Sequence, residues 1–243
     1  MKGIILAGGL GTRLYPLTKI TNKHLLPVFD KPMIFYPIQT LVDAGIRDLM
    51  IVTGGNHAGE FLRLLGSGKA FGLPHINYAH QEGEGGIADA LRLCEHFARG
   101  QKIVVMLGDN IIEKNIRAGV AAFRKQKRGA RIYLKRVPNP RDYGVAELRG
   151  GRIVSIAEKP RRPKSDYAVI GIYMYDAGVF DIIRKLKPSR RGELEITDVN
   201  NAYIRRRQLA YEILDGWWAD AGASHQKLIE TSLLVARQRG VKL

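Results

Sequence analysis

Residues Met1 to Ala7 form a short, mostly aliphatic run that ends at once in Gly8-Gly9-Leu10-Gly11-Thr12-Arg13-Leu14-Tyr15-Pro16. A buried strand emptying into a glycine-rich loop is how α/β proteins commonly hold phosphates. Three glycines let backbone N–H groups approach anion oxygens closely, since no Cβ intervenes and positive φ costs little. Arg13 adds a planar, permanently charged fork that matches phosphate geometry. A flexible strand-to-helix turn explains the glycines alone equally well. Two familiar phosphate motifs are excluded. A dinucleotide fingerprint counted from Gly9 and Gly11 would need a glycine where Leu14 stands. Around Gly68-Lys69, Arg63 stands where a Walker loop needs its first glycine and Ala70 where it needs Ser or Thr, so it is not a Walker loop.

At 243 residues the chain can bury a core as one large α/β domain. We expect a single unit over 1–243, in two halves that divide at about residue 130: about 1–130 and about 131–243. Its one cysteine, Cys94, excludes an internal disulfide and a thiolate metal cluster. No run approaches the roughly 18–20 apolar residues needed to span a bilayer, and the start is too short for a signal peptide. A cytoplasmic protein with no membrane partner is expected.

The formal net charge of +16 admits nucleic acid, an anionic substrate or a solvated surface. Basic residues cluster at 124–136, 159–164, 184–191 and 205–207. These segments are dispersed and lack the interleaved aromatics of a stacking platform, so nucleic acid is not expected as partner.

Strands are expected at 2–7, 48–53, 75–79 and 102–107, with helices near 33–44, 59–65, 87–97 and 116–127. Gly45 is the expected stop of the first helix. This alternation implies βαβ units: a central, mixed but mostly parallel sheet flanked by helices. Beyond Arg131 the texture changes. Segments 145–149 and 152–157 around Gly150-Gly151 read as a hairpin with a primed turn. A strand at 168–175, helices at 177–186 and 195–207, a strand at 209–214 and a helix at 224–237 follow.

Ligands of such sheets lie beyond the carboxyl ends of the strands. There the chain carries the first glycine loop, then Gln81 to Gly86 ahead of a helix, then Gly108-Asp109-Asn110. Asp109 reads as a helix cap or as a Mg²⁺ ligand. Asp220, in Trp218-Ala219-Asp220, has the same two readings. Lys23, Lys159 and Arg191 occupy turns, where solvated charge is the ordinary role. His24 and His57 have no matched catalytic partner in the sequence.

Taken together, Leu6 to Thr18, Lys23 to Pro27, Asp30 to Met33, Gly108 to Asn110, Glu158 to Pro160, Arg191 to Asp198 and Trp218 to Asp220 resemble the sugar-1-phosphate nucleotidylyltransferases over about residues 1–240. The branch most similar joins dTTP to glucose-1-phosphate. The resemblance implies a Rossmann-like fold, Mg²⁺ as cofactor, dTTP (or UTP) and glucose-1-phosphate as substrates, and assembly as a homodimer or homotetramer.

It also implies roles. Leu6, Gly8, Gly9, Gly11 and Thr12 would wrap the triphosphate, and Arg13 with Lys23 would offset the charge of departing pyrophosphate. Gln81 and Gly86 would read the base. Asp109 and Asp220 would hold the metal. Tyr143, Gly144, Glu158, Val169 and Tyr173 would surround the sugar, with Lys159 and Arg191 on its phosphate. Catalysis would rest on Arg13, Lys23, Asp109, Lys159 and Asp220. Ala223 departs from the Thr or Ser of many relatives, and the C-terminal extension of longer relatives is not expected here.

Overall fold

The computed structural model describes residues 1–241. In chain order it has β1 (Lys2–Ala7), β2 (Pro27–Val28), β3 (Lys31–Pro32), α1 (Phe35–Asp43), β4 (Leu49–Gly54), α2 (Ala58–Leu65), β5 (Ile76–Gln81), α3 (Ile87–Arg92) and α4 (Glu95–Ala98). Next come β6 (Ile103–Leu107), β7 (Asn110–Ile112), α5 (Arg117–Lys125), β8 (Ala130–Arg136), β9 (Gly144–Arg149), β10 (Arg152–Glu158) and β11 (Tyr167–Tyr175). The chain continues through α6 (Gly178–Ile183), α7 (Ile196–Arg205), β12 (Leu209–Ile213), β13 (Trp218–Asp220) and α8 (His225–Gln238). The architecture is α/β, a mixed sheet flanked by helices. Two compact units divide it, each assembled from separated segments.

The first unit consists of Lys2–Glu84, Met106–Arg117 and the chain from Asp215 onward. Here β1, β4 and β5 are parallel neighbours, registered from Gly3 opposite Leu49 to Gly54 opposite Gln81. All six β1 residues are buried, as a strand covered on both faces requires. Helix α1 turns Ile38, Leu41 and Val42 inward. It ends as the sequence predicts: Gly45 sits at φ 78°, its N–H bonds Val42 O and that of Ile46 bonds Leu41 O. This is a Schellman cap, which satisfies carbonyls that a helix end leaves orphaned. At the other end of the chain, the Ser224 hydroxyl caps α8 by accepting from Lys227 N at 3.1 Å. Val235 of α8 joins Val28, Met33, Ile111 and Ala221 in one buried cluster. That packing holds the short antiparallel ladder β7–β13, in which Trp218 faces Ile112 and Asp220 faces Asn110.

The second unit is chiefly Gly85–Val105 and Ala118–Leu214. Its centre is β8, antiparallel to β11 and parallel to β12. This strand is a correction to the sequence reading, which treats 124–136 only as a basic segment. Ile132 and Leu134 are fully buried, whereas Arg131 pairs with Glu212 and Lys135 Nζ bonds Leu214 O at 3.2 Å. The polar residues of the alternation are long cations, which mask a half-buried strand. The hairpin β9–β10 turns at Gly150 and Gly151, with φ 54° and 71°. Positive φ at both positions is the primed turn expected there. The helix expected at 87–97 breaks instead into α3 and α4: Cys94 N bonds Leu91 O at 3.0 Å, a tightened i to i−3 turn.

Candidate functional site

Gly8 leaves β1 buried, and the loop beyond it turns outward: Gly9, Leu10, Thr12 and Arg13 are exposed, while Leu14 is fully buried and anchors the turn. A Cβ on Gly8 would lie 2.8 Å from Gln81 Oε1, and one on Gly54 only 2.4 Å from Gly8 O. Gly54, which the sequence reading passes over, is therefore what lets β4 run beside the loop. Gly11 takes φ 71°, opening the turn Thr12–Leu14, and its carbonyl accepts from Thr18 Oγ1 at 3.0 Å. Leu6 is 6 % exposed, so its side chain belongs to the core.

The expected carboxylates come together with a cation. Lys23 Nζ donates to Asp109 Oδ2 at 2.5 Å, and the two side chains are 12 % and 10 % exposed. Lys23 is not the solvated turn residue its type suggests. Burial disfavours its charge, but the attraction of Asp109 and the hydrogen bond outweigh burial and raise its pKa. Burial likewise opposes charge on Asp109, and Lys23 overcomes it, holding that carboxyl below the usual range. Asp220 has no such hydrogen bond from Lys23. Burial and then the charge of Asp109 push it up to about 7, and its Oδ1 is buried with no hydrogen-bond partner.

Backbone pairing sets this meeting. The Asp220–Asn110 register brings the two aspartates' segments side by side, and Ala221 N donates to Asp109 O at 2.9 Å. Asn110 Nδ2 donates to Asp109 Oδ1 at 3.1 Å, while Trp218 Nε1 donates to Asn110 Oδ1 at 2.7 Å. Trp218 thus orients Asn110, which orients Asp109. Gly222 closes against the same group: a Cβ there would fall 2.6 Å from Asp109 Oδ2 and 3.0 Å from Lys23 Nζ.

The donor set suits a hard divalent cation that shares substrate phosphates. Among the described residues no three His, Cys, Asp or Glu side chains cluster as metal ligands, so a cage made wholly of protein is absent. Mg²⁺ uses one or two carboxylates and completes its shell with water and phosphate. Asp109 and Asp220 would supply that pair, and the buried Asp220 Oδ1, which has no hydrogen-bond partner, is an oxygen that such a cation would satisfy.

Neither histidine noted in the sequence is placed for acid–base work. His24 is buried and held down to about 3 by burial and by Lys23, so it stays neutral. Its ring Nδ1 lies 2.7 Å from Asn22 Oδ1. His57 Nδ1 lies 3.0 Å from Glu60, which also accepts from Thr21 at 2.7 Å. Gln81 belongs to β5 and is buried.

In the second unit, Gly86 is the N-cap of α3 at φ 92°, and a Cβ there would strike Leu194 O at 2.8 Å. Gly144 and Glu158 are opposite each other on the hairpin, and Val169 is registered with Gly144 from the next strand. Glu158 Oε2 accepts from Thr197 Oγ1 at 2.6 Å, which adds Thr197 to the group. Lys159 N donates to Tyr143 O at 3.0 Å. Lys159 itself is exposed at φ 42°, a left-handed position that non-glycine residues rarely take. Tyr173 is 3 % exposed and stacks on Tyr175 with ring centres 6.1 Å apart. Arg191 is already engaged: its Nη2 donates to Glu195 Oε2 at 2.9 Å and to Glu193 Oε2 at 3.1 Å. Glu195, buried and supported by Ser189 Oγ at 2.8 Å, fixes that guanidinium, a partner the sequence reading did not anticipate.

The model of the nucleotidyl transferase family matches residues 2–238. The chain belongs to the nucleotidyl transferase family. A relative from Actinoplanes sp., described as a glucose-1-phosphate thymidylyltransferase, is 42 % identical over 248 residues, covering 100 % of this chain and 82 % of its own. A solved structure from Bacillus anthracis, described by the same activity and obtained with sucrose, superposes with a TM-score of 0.93 at 50 % identity, covering 100 % and 97 % of the two chains. A UDP-glucose pyrophosphorylase complexed with UDP-glucose gives a TM-score of 0.86 at 25 % identity, over 98 % and 99 %. The nucleotidyl transferase membership agrees with both the α/β architecture and the charged groups gathered at its strand ends. Among the described residues no helix is long and apolar enough to cross a membrane.

Proposed function

We propose that this enzyme is a glucose-1-phosphate thymidylyltransferase: it transfers dTMP from dTTP to glucose-1-phosphate, giving dTDP-glucose and pyrophosphate. The observation that carries the reading is the Asp220 oxygen left without a protein partner in the unit that also holds Asp109, Lys23 and the glycine loop. The names of the relatives supply the substrate pair.

An oxygen of the sugar phosphate attacks the α-phosphorus in line, and pyrophosphate departs. The nucleophile is already anionic, so no side chain has to activate it. The obstacle is bringing a dianion to a polyanion, and positioning with charge neutralisation answers it. Backbone N–H groups of Gly8, Gly9, Gly11 and Thr12 receive the triphosphate. Arg13 and Lys23 stabilise the charge that builds on the leaving group. Asp109 and Asp220 would hold Mg²⁺, which when bound would neutralise phosphate charge and polarise the reacting phosphoryl group. Gln81 and Gly86 meet the base. Tyr143, Gly144, Glu158 and Val169 bind the sugar, and Tyr173 backs them. Lys159 and Arg191 take its phosphate, with Arg191 held in orientation by Glu195.

The likeness to a UDP-glucose pyrophosphorylase supports a second reading, in which UTP replaces dTTP. One assay decides between them: pyrophosphate release with Mg²⁺, a set of nucleoside triphosphates and a panel of sugar-1-phosphates. Highest kcat/KM for dTTP with glucose-1-phosphate supports the proposal. Preference for UTP replaces it with the second reading, and release from no pair removes both.

A further inference from the structure

Two basic segments, at 124–136 and 205–207, are untouched by this chemistry. The fold brings them together. Parallel pairing of β12 with β8 sets Leu209 opposite Ala130, so the turns that enter these strands run side by side. They are locked by Ala130 N donating to Gln208 O at 2.8 Å. Gly129 permits the contact, since a Cβ at its φ of 97° would lie 2.3 Å from Gln208 O. Between the turns opens a cleft of about 520 Å³ lined by Lys127, Arg128, Arg206, Arg207, Gln126 and Gln208, with Leu209 and Ala210.

Four cations and no acid line that cleft. Among the described residues none of the four forms an ion pair. The nearby acids are committed: Glu212 to Arg131, and Asp176 to Gly129 N and to Tyr203 Oη at 2.7 Å. Basic residues often gather at helix C-termini to offset the dipole. At α5, however, Lys102 Nζ already donates to the carbonyls of Phe123, Arg124 and Gln126. At α7 the end is closed by its own backbone, Arg207 N to Ile204 O and Gln208 N to Tyr203 O. This is again a Schellman cap, yet its left-handed position, φ 55°, holds Arg207 rather than the customary glycine. An arginine kept where the backbone favours glycine points to a use for its side chain.

We propose that this cleft binds a condensed phosphate chain, two or more linked phosphates. Arginine forks match phosphate oxygens, and every charged residue that lines the cleft is a cation, so negative charge is the feature it recognises. Inorganic polyphosphate and the tail of a nucleoside triphosphate share that chemistry. A cleft of this volume fits a small molecule.

Isothermal titration with inorganic tripolyphosphate at 150 mM salt tests it, comparing the unaltered protein with Arg206→Ser/Arg207→Gly. Glycine suits the backbone at 207, so thermal unfolding should not occur earlier in the variant Arg207→Gly alone. We expect two binding events in the unaltered protein and loss of one, by at least about tenfold in affinity, in the double variant. Arg13→Ala should weaken only the other event. Parallel titrations with dTTP and with thymidine identify the source. Filling of the cleft by dTTP assigns it to a nucleotide tail, and filling by tripolyphosphate alone assigns it to free condensed phosphate. Unchanged stoichiometry in the double variant, or displacement of tripolyphosphate from the cleft by duplex DNA at equal charge concentration, would overturn the proposal.

Discussion

Replacing Lys23 by Met should destabilise the protein far more than a surface charge deletion, because of what it leaves behind. The ammonium sits 2.5 Å from Asp109 Oδ2, and the two side chains are 12 % and 10 % exposed. Without it, two buried carboxylates share one site, and Asp220 already has an oxygen with no partner. Breaking a buried pair by removing one member costs about 3–5 kcal/mol. For a chain of 243 residues that corresponds to a Tm lower by roughly 6–20 °C. Adding Asp109→Asn removes the stranded charge, so the double variant should recover on the order of 1–3 kcal/mol relative to the sum of the singles. The sign with pH is also fixed. In the parent, Lys23 depresses the Asp109 pKa, a stabilisation present above the unfolded carboxylate pKa and lost as pH falls through the folded one. In Lys23→Met that gain is missing, so the deficit is greatest at pH 8 and shrinks toward pH 5 as the carboxylates take up protons. Urea unfolding of the four members of the cycle, in metal-free buffer at both pH values, measures all of this. A single variant within about 1 kcal/mol of the parent, or strictly additive effects, would refute the buried-pair reasoning.

Asp220, pushed up to about 7 by burial and by Asp109, favours the folded state only while protonated. It therefore costs stability progressively as pH rises from the unfolded carboxylate value, about 4, to about 7. Asp220→Asn should flatten the pH dependence of unfolding across that window, and Mg²⁺ titrated at pH 6 should release a proton that the variant does not. Arg13→Ala should lower kcat by an order of magnitude or more through loss of leaving-group stabilisation, measured in both reaction directions; unchanged rates would take Arg13 out of the mechanism. Gly222→Ala places a Cβ 2.6 Å from Asp109 Oδ2, and overpacking of this kind costs about 1–3 kcal/mol. We expect activity at least about tenfold lower, with the fold retained by circular dichroism; full activity would show that the pocket relaxes freely.

The parallel strands of the first unit, the Gly45 cap and the Gly150–Gly151 turn are legible because each rests on local chemistry: aliphatic runs and positions that need positive φ. Strand β8 is hidden because Arg131, Lys135 and Arg136 interrupt its buried residues, so the segment reads as charge. Both aspartates could be singled out as strand-end carboxylates. What joins them could not, because β7 and β13 are three residues each and separated by more than a hundred positions. Lys23 illustrates the same limit. Its residue type suggests solvent, and only tertiary packing buries it on Asp109. Arg191 was visible as a basic turn residue, but its anchoring by Glu195 follows from the start of α7, a geometry no spacing announces.

The most direct measurement is Mg²⁺-dependent pyrophosphate release from dTTP and glucose-1-phosphate by Asp109→Asn. Asparagine keeps the shape of that side chain but removes its charge and one of the two oxygens that accept from Lys23 and Asn110. We expect turnover to fall by at least about a hundredfold, as loss of a principal electrostatic group does, with circular dichroism and cooperative unfolding preserved. Near-normal Mg²⁺-dependent turnover in the folded variant would contradict the assignment of Asp109 and Asp220 as the metal–triphosphate site.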